Sequence, residues 1–427
     1  MLRQVYGQPQ DKEAALADRK GHIVILVENL PVPFDRRVWM ESTALTQAGY
    51  KVSVISPCPP DDPEPDKVID GIHVYRFPMY EEQPGKLYYI KEFAYCLREV
   101  GKRVKQIWKE DPFDVIQTCN PPDTFWWIAR KYKKHGVKFV FDHHDLCPEL
   151  YESKFKRQDI MWKGLRWLEK KQFATADAVI ATNESYKEVA MGRGGKRDED
   201  VVVVRSGPKL DLFQPVPAEP ELKRGRKNMG VYLGVMGKQD GVDYALRAIR
   251  YAVDNGLADT SFTFVGKGDA FDSLQEEAQQ LGLFEDELVK FTGRVSDLDL
   301  RRYLSTADFG IAPDPNDPLN NLCTMNKIIE YMAMGLPIVS FDLKESRFSA
   351  QNAAVYIPDN DEQAMGQAFI DLLADPAKRE QMSVFGKQRV AEGLSWDQSQ
   401  TVLIDFYDRL LGHQTVKQET EASRLCA

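Results

Sequence analysis

Short, continuous apolar runs recur along the chain and alternate with longer segments whose apolar residues have helical spacing. The first run, HIVILV at 22–27, is typical of a strand buried on both faces of a parallel sheet. A helical segment follows from Trp39 to Gly49, and Tyr50 to Ile55 again has the pattern of a strand. This order predicts a βαβ unit, and its repetition predicts an α/β fold with a doubly wound parallel sheet.

The alternation occurs twice. It runs to VVVVRSG at 201–207, stops at residues 214–228, and restarts with a strand at 231–234. Residues 214–228 (QPVPAEPELKRGRKN) are rich in proline and charge, which predicts an interdomain linker. The polar ends, residues 1–20 and 413–427, are predicted to be disordered. The sequence therefore predicts two α/β domains, 21–213 and 229–395.

Glycine and charge concentrate in the loops that follow predicted strands. These loops read ENLPVPFDRRV, TCNPPD, DHHDLCPE, RSG, GVMGKQDG, VGKGD, TGRVSD and PDPNDPLNN. In open parallel sheets ligands bind outside the carboxyl ends of the strands. Two such domains in tandem are therefore expected to share one interdomain cleft, lined by both sets of loops.

The stretch 320–342 (NNLCTMNKIIEYMAMGLPIVSFD) predicts a short helix and a buried strand. Thr324 is a good N-cap, and Gly335 stands where the helix should stop. Asn326, Lys327 and Glu330 would share one face beside the helix N-terminus. The N-terminus and Lys327 could bind a diphosphate while Glu330 accepts both hydroxyls of a ribose. An ordinary Lys–Glu pair on a surface helix is the alternative.

The composition is that of a soluble globular protein, with 43% hydrophobic and 28% charged residues among 427. Neither a membrane-spanning run nor a signal peptide is evident, so we expect a cytoplasmic protein. The six cysteines are scattered without C-x-x-C pairs, which favours reduced thiols and no metal site. VGKGD at 265–269 falls short of G-x-G-x-x-G, which argues against NAD, and no cofactor is expected.

The net charge of −9 conceals a basic region. Between Lys86 and Lys171 there are 19 Lys and Arg against 12 Asp and Glu. Such a region favours an anionic partner, either a phosphate-bearing acceptor or an anionic membrane surface. Solvated helix faces are the alternative, and we expect no nucleic-acid partner. On the helix predicted from Leu87 to Trp108, four cations follow an aromatic run and would lie along one side: Lys91, Arg98, Lys102 and Lys105.

Six motifs, in this order, resemble the retaining glycosyltransferases of family 4. They are FDRRVW, DHHDLCPE, VVRSGPKLDLF, GVMGKQDGVDY, STADFGIAP and TMNKIIEYMAMGLPIV. The resemblance covers His22 to about Leu411 and is greatest to the branch that acts in bacterial surface-polysaccharide assembly. It implies a GT-B fold of two Rossmann-like domains. The acceptor domain would be 21–213, completed by a helix at about 396–412, and the donor domain would be 229–395.

The resemblance implies transfer of a sugar from a nucleotide diphosphate sugar, with UDP favoured, to a saccharide hydroxyl. That saccharide could be carried on a polyprenyl diphosphate. It implies catalytic roles for His144, with Asp145 orienting its ring, and for Lys327 and Glu330, the last as the ribose ligand. Arg36 and Arg37 would bind acceptor or phosphate. The donor would be held by Gly234, Gly237, Lys238, Gly266, Arg294, Asn321, Cys323, Thr324, Met325 and Asn326.

The chain departs from the family pattern at three positions. Leu322 stands where the family has the first glutamate of its E-x7-E motif. Val235 and Asp240 stand where the family usually has an Arg and a Lys on the diphosphate, which leaves Lys238 and Lys327 as the available cations. Two other functions therefore stay open: a catalytically inactive partner protein that binds the nucleotide sugar, and a nucleotide-sugar epimerase.

Overall fold

The computed structural model describes residues 19–59, 62, 64, 66–80 and 88–413, with the backbone alone at 88–90 and 286. Residues 1–18 and 414–427, most of the predicted disordered ends, lie outside this description. Arg19 and Lys20 belong to the predicted disordered N-terminus, yet both are held by ion pairs. Arg19 donates two hydrogen bonds to Asp111, of 2.6 and 2.8 Å, and the Lys20 ammonium lies 2.9 Å from Asp408.

The first sheet has eight described strands in the order β3-β4-β2-β1-β5-β6-β7-β8. Every pair of neighbours is parallel except β3 and β4. The prediction of a parallel sheet is therefore confirmed. The antiparallel edge strand β3 was not predicted, because its residues alternate between exposed and half-buried and form no apolar run. The strands are β1 His22–Leu26, β2 Lys51–Pro57, β3 Asp66–Ile69, β4 Ile72–Phe77, β5 Val115–Cys119, β6 Lys138–His143, β7 Ala178–Ala181 and β8 Val201–Val203.

Helices cover both faces of the first sheet. The helix predicted from Trp39 begins at Arg36, because the Asp35 carboxylate accepts a hydrogen bond of 3.1 Å from the Val38 amide and caps it. Two helices directly after β6 and β7 were not predicted. The helices of this domain are Arg36–Gln47, Tyr88–Glu110, Trp126–Lys133, Cys147–Phe155, Ile160–Thr175 and Glu184–Gly192.

The second sheet has six described strands in the order β11-β10-β9-β12-β13-β14, and all neighbours are parallel. Its strands are β9 Asn228–Leu233, β10 Thr260–Val265, β11 Val289–Gly293, β12 Phe309–Ala312, β13 Ile338–Phe341 and β14 Ala354–Ile357. The remaining helices are Val242–Asp254, Phe271–Gln280, Asp297–Thr306, Asn326–Met334, Lys344–Ala350, Glu362–Ala374, Pro376–Arg389 and Trp396–Leu411.

Two segments connect the domains. The linker contacts the second domain: the Val216 amide donates to Ser305 (3.0 Å) and the Glu219 amide to Thr306 (2.9 Å). The helix Trp396–Leu411 returns to the first domain, where its apolar side chains join the core on one face of the first sheet. The carboxyl ends of both sheets face one cleft, so the predicted pair of Rossmann-like domains is confirmed.

Candidate functional site

The helix Asn326–Met334 presents a free N-terminus at the cleft. Its N-cap is Met325, and no side chain caps its first turn. The predicted N-cap, Thr324, is instead engaged across the cleft, where its hydroxyl accepts a hydrogen bond of 3.0 Å from Asn183. The prediction of Thr324 as N-cap was therefore wrong. The unpaired N–H groups of the first turn can still bind an anion such as a diphosphate.

Glu330, one turn into this helix, is a partly buried carboxylate that accepts no hydrogen bond from any described residue. Burial raises its pKa to about 7, although the Arg36 charge opposes that shift. A partly buried carboxylate without a partner is costly unless a ligand supplies the donors. Two ribose hydroxyls would satisfy it.

Lys327 is not the mobile cation that the sequence predicted. Its side chain is 8% exposed, and the ammonium lies 2.6 Å from the buried Asp314 and 4.8 Å over the Tyr232 ring. Burial lowers the lysine pKa, but the charges of Asp314 and Asp240 outweigh it and leave the pKa above its ordinary value. Lys327 is therefore charged, and Asp314 already neutralises much of that charge.

Two glycine-rich loops form the wall beside Lys327. Gly266 has a φ of +135°, and a Cβ there would lie 1.9 Å from the Gly234 carbonyl oxygen, so only glycine fits this close approach. Asp240, where the family usually has a cation, accepts a 2.8 Å hydrogen bond from the Gly237 amide and stabilises the turn. Lys238 is exposed and pairs with none of the described residues. It is thus free to meet a phosphate.

Two contacts join the domains in front of Glu330. Arg36 donates a hydrogen bond to Asp297, and the Arg294 guanidinium lies 5.2 Å over the Phe34 ring. Both partners of the ion pair are exposed, and both influence the pKa of Glu330, which places them close to it. Arg36 is therefore a cation beside the predicted ribose ligand, whereas the Arg294 side chain faces the other domain.

The floor of the cleft is closed by hydrogen bonds to the loop that lacks the family glutamate. Asn183 donates to the Leu322 carbonyl (2.9 Å), and the Tyr186 hydroxyl lies 3.2 Å from the Cys323 sulfur. The Asn321 side chain accepts a 2.8 Å bond from the Lys344 amide. The side chains of Asn321 and Cys323, predicted to bind the donor, are thus already engaged. Any contact between this loop and the donor substrate would therefore come from the loop backbone.

Asn183 and Tyr186 were missed by the sequence reasoning. Both follow β7 directly, so their position after a strand was the signal that could have found them. Asn183 also caps its own helix, because its side-chain oxygen accepts a 2.8 Å bond from the Tyr186 amide. One asparagine therefore fixes the helix and contacts the facing domain.

His144 lies at the end of β6 and is oriented by Asp142. Its Nδ1 lies 3.3 Å from an Asp142 oxygen, while the Asn120 side chain accepts bonds from the amides of His144 (2.9 Å) and Asp145 (3.0 Å). Burial lowers the imidazole pKa, but the Asp142 charge and hydrogen bond outweigh it and raise the pKa to about 9. The predicted orienting role of Asp145 is thus filled by Asp142.

Arg37 is buried behind His144. Its guanidinium donates to Asp142 twice (2.8 and 3.2 Å), to the Val204 carbonyl (2.9 Å) and to Ser206 (3.0 Å). Glu41 lies 3.1 Å away. The acceptor or phosphate role predicted for Arg37 would require it to leave these partners. The geometry instead favours a positioning role, in which Arg37 fixes the carboxylate that orients His144.

Three side chains here lie close enough to share a metal ion: Cys119, Asp142 and His144, with ligand atoms within 4.8 Å of one another. Their chemistry does not suit one. Metal ligation requires a thiolate, whereas burial and the Asp142 charge raise the pKa of Cys119 well above its ordinary value. The Asp142 carboxylate is already bound by Arg37. The neighbouring His143 is buried among aromatic rings, and burial lowers its pKa to about 3.

Solved structures share this architecture. Sucrose-phosphate synthase from Thermosynechococcus elongatus superposes with a TM-score of 0.74 at 19% identity, over 92% of this chain and 99% of that one. HepE of Anabaena, in complex with UDP and glucose, superposes with a TM-score of 0.63 at 14% identity, over 91% and 98%. The GT-B fold predicted from the resemblance is therefore confirmed.

Family models match most of the chain. "Glycosyltransferase Family 4" matches residues 35–212 and "Glycosyl transferases group 1" matches residues 227–375. Glycogen synthase of Mycobacterium tuberculosis is 21% identical over 393 residues, 87% of this chain and 90% of that relative. TuaH of Bacillus subtilis, named for teichuronic acid biosynthesis, is 25% identical over 222 residues, 52% of each chain. The chain belongs to the family 4 glycosyltransferases.

Within the described ranges, no helix combines the length and the apolar character needed to cross a bilayer.

Proposed function

We propose that the chain is a retaining glycosyltransferase that moves a sugar from a nucleotide diphosphate sugar, with UDP favoured, to a hydroxyl of a saccharide acceptor. The observation that carries this proposal is the Glu330 carboxylate, which accepts no hydrogen bond from the described residues and lies beside a helix N-terminus whose N-cap side chain makes no capping bond. A ribose followed by a diphosphate matches both features. The neighbours bound to UDP, or to ADP in starch synthase of Arabidopsis thaliana, support a nucleotide ligand.

In this mechanism the leaving diphosphate accumulates negative charge as the bond to the sugar breaks. The helix N-terminus, Lys238 and Arg36 would stabilise that charge, and Arg36 would exchange Asp297 for the phosphate. The leaving oxygen can accept the acceptor's proton on the same face of the sugar, so no side-chain nucleophile is needed.

His144 would act on the donor sugar. Its Nδ1 is held by Asp142, and its Nε2 makes no hydrogen bond to a described residue. With a pKa of about 9, the imidazole carries its proton at neutral pH. The ring can therefore donate a charge-assisted hydrogen bond from Nε2 to a sugar hydroxyl and hold the ring of the donor in place.

The test is UDP and uridine binding by calorimetry for wild type and Glu330→Gln. We expect Glu330→Gln to weaken both ligands by about tenfold or more, because an amide replaces only part of a charge-assisted pair of hydrogen bonds. Glu380→Gln, on an exposed helix of the same domain, is the matched control and should bind as wild type. Equal affinity for wild type and Glu330→Gln would place the ribose elsewhere.

Turnover distinguishes this function from the two alternatives. A glycosyltransferase releases UDP from its donor only slowly without an acceptor and faster with one. An epimerase would convert the donor without any acceptor, and an inactive partner protein would bind the donor without consuming it. A panel of nucleotide sugars, screened first by thermal shift, identifies the donor for this assay, since a bound donor stabilises the fold.

We also propose that the first domain rests on an anionic membrane, at the inner face of the cell membrane. The four predicted cations of the helix Tyr88–Glu110 are exposed, although two of them pair with Glu99. The same domain exposes Trp127 (43%) and Trp167 (53%), with Arg130 stacked 3.7 Å over Trp127. Exposed tryptophans beside cations are typical of surfaces that enter the headgroup region.

Sedimentation with vesicles tests the membrane proposal. Binding should require anionic lipid, decline with salt, and be lost when Lys91, Arg98, Lys102 and Lys105 become Glu. Four exposed lysines outside the first domain provide the matched control and should tolerate the same change: Lys227, Lys290, Lys378 and Lys387. Equal binding to neutral and anionic vesicles would contradict the proposal.

A further inference from the structure

The first domain contains a cavity of about 380 Å³ that no role described above requires. It lies at the carboxyl ends of β1, β2, β4 and β5, beneath the helices Tyr88–Glu110, Cys147–Phe155 and Ile160–Thr175. Its volume is within the range of small-molecule sites. Most of its lining is apolar and aromatic, including Phe77, Phe93, Leu150, Phe155, Met161 and Leu165.

Two carboxyl groups without full partners form part of its wall. Asp123 is 3% exposed; the Cys147 thiol and the Asn120 amide beside it lower its pKa, but neither makes a hydrogen bond of good geometry to its oxygens. Glu28 is 9% exposed, and one of its oxygens is likewise unpaired. Burial raises the pKa of Asp123 to about 8 and that of Glu28 to about 7. Such groups can be hydrogen-bonded by a neutral ligand, and in their ionised forms they would repel an acidic one.

The charged groups that line the cavity decide what can enter it. Glu92 adds a third acid, and Lys154 is the cation among the lining residues. A phosphate or carboxylate would therefore meet more acid than base. An uncharged apolar group would release water from the aromatic wall and would leave the two buried carboxyl groups protonated.

The cavity opens toward the surface proposed to face the membrane. Its lining includes Met79, which is 46% exposed, and Phe155, which is 43% exposed, and the neighbouring Ile160 is 80% exposed. The helix Ile160–Thr175 also exposes Trp167, and the exposed Lys163 lies between Ile160 and Trp167 along the chain. An apolar chain that enters here would contact Met79 and Phe155, with the exposed Lys154 also lining the cavity.

The cavity also shares a wall with the loop that carries His144. Cys147 lines the cavity, and its sulfur lies 3.7 Å from the side-chain nitrogen of Asn120. Asn120 in turn accepts the hydrogen bond from the His144 amide. A molecule held in the cavity by its chain would thus have its head group beside the proposed reaction centre.

From these contacts we propose that this cavity binds the uncharged alkyl or prenyl chain of an amphipathic acceptor whose saccharide projects toward His144. The inference rests on the proposed glycosyltransferase function and specifies the acceptor: a saccharide joined to an aliphatic chain, with any phosphate kept outside the cavity.

The test uses neutral alkyl β-D-glucosides of increasing chain length, methyl, hexyl and octyl, below their micellar concentrations. They displace N-phenyl-1-naphthylamine, a neutral dye that fluoresces in apolar sites. Affinity should rise about fourfold for each methylene that is buried. Octanoate, an anion of similar length, should bind at least tenfold more weakly than octyl glucoside at pH 8. Equal affinity of methyl and octyl glucoside would overturn the proposal.

Substitutions in the lining test whether the alkyl chain binds in this cavity. Leu165→Lys should abolish the dependence on chain length, whereas Val384→Lys, at an apolar position 56% exposed in the second domain, should keep it. Asp123→Asn removes an acid and should narrow the difference between octanoate and octyl glucoside. Chain-length dependence that survives in Leu165→Lys would overturn the proposed location.

UDP binding separates this inference from the proposed function and reports folding. It should be the same in wild type, Leu165→Lys and Val384→Lys, because neither residue is among those proposed to bind the nucleotide. If wild type binds UDP but not the alkyl chains, the inference is wrong and the proposed function is unaffected. If wild type binds the chains but not UDP, the proposed function is wrong.

Discussion

The hydrogen bond between Asp142 and His144 can be removed with little change in shape by Asp142→Asn. Asp142 accepts two hydrogen bonds from Arg37 and one contact from the imidazole, and all three groups lie at the end of the first sheet. An asparagine keeps one oxygen for Arg37 but carries no charge. Arg37 keeps Glu41 at 3.1 Å, so its own charge is not left without a partner.

The size of the effect follows from the pKa of His144. Asp142 holds that pKa at about 9 against the effect of burial. Without the carboxylate, burial dominates and the pKa should fall to 6.5 or below. A fall of roughly 2.5 units corresponds to about 3 kcal/mol between the two protonation states. The side chain of His144 is 14% exposed, so solvent screens this interaction only in part.

The sign of the pH dependence is fixed by linkage. A histidine whose pKa is higher in the folded than in the unfolded state stabilises the fold. This stabilisation is complete at pH values below the unfolded pKa, near 6.5, and is lost as the pH rises through the folded pKa of about 9. We compare the free energy of unfolding of wild type with that of Asp142→Asn. The difference between the two should therefore be about 3 kcal/mol larger at pH 6 than at pH 10. Urea unfolding at several pH values measures this difference.

NMR titration of the histidine ring protons provides the direct assay, with the His144 signal assigned from its loss in His144→Gln. We expect titration near pH 9 in wild type and at or below pH 6.5 in Asp142→Asn. Asp145→Asn is the matched control: Asp145 also raises the His144 pKa, but it makes no hydrogen bond to the ring, so the fall should be smaller. A large fall in Asp145→Asn and none in Asp142→Asn would refute the assignment of the orienting carboxylate.

Three further predictions test the second domain and the contacts across the cleft. The affinity for UDP should rise between pH 6 and 8 as Glu330, with a pKa of about 7, ionises, and calorimetry of Glu330→Gln should show no such rise. Arg36→Gln should lower kcat/KM for the donor by about tenfold. Because the Arg36–Asp297 pair is exposed, thermal unfolding should show that Arg36→Gln and Asp297→Asn each change the free energy of unfolding by less than about 1 kcal/mol. Urea unfolding should show that Gly266→Ala lowers the free energy of unfolding by about 2 kcal/mol or more beyond the loss in Gly256→Ala. Gly256 is the control, because it also has a positive φ but a Cβ there would meet no atom within 4 Å.

The strands that the sequence revealed most clearly are those buried on both faces, although the edge strand β8 was also predicted from its run of valines. In β1 and β10 every residue is buried, and each is an apolar run or has only small polar residues between apolar ones. The strand β3 was missed because it lies at a sheet edge and its half-exposed residues form no apolar run. The other missed edge strand, β14, has the apolar sequence AVYI but is only four residues long. The pattern of apolar residues reports burial, so it identifies the inner strands of a sheet more readily than its edge strands.

The sequence predicted where the candidate site residues lie, but not which residues they pair with. Glu330 and His144 could be placed because each follows a predicted strand or lies one turn into a predicted helix. The partners that decide their chemistry are distant in sequence: Arg37 and Asp142 are 105 residues apart, and Asn183 and Thr324 are 141 apart. Spacing along one helix or loop carries no information about such contacts. Asp142 and Asp145 both flank the two histidines, and the sequence does not show which of the two carboxylates reaches the His144 ring.

The arrangement of charge around the proposed diphosphate site implies that, in the proposed mechanism, both sides of the cleft would take part in donor binding. In the second domain, Lys327 is paired with Asp314, and Asp240, at a position where the family resemblance implied a cation, accepts a hydrogen bond from Gly237. That domain therefore offers a diphosphate the helix N-terminus and the exposed Lys238. The remaining cation beside Glu330 is Arg36, which belongs to the first domain.

A charge that arrives from the other domain is available only when the cleft is closed. If Arg36 leaves Asp297 for the phosphate, the energy of that contact is gained only in the closed form, and donor binding is coupled to closure by the same amount. Two fixed cations in the second domain would bind the donor equally well with the cleft open. In the proposed mechanism, Val235 and Asp240 would thus shift phosphate binding from one domain to the interface, where we also propose that the acceptor binds.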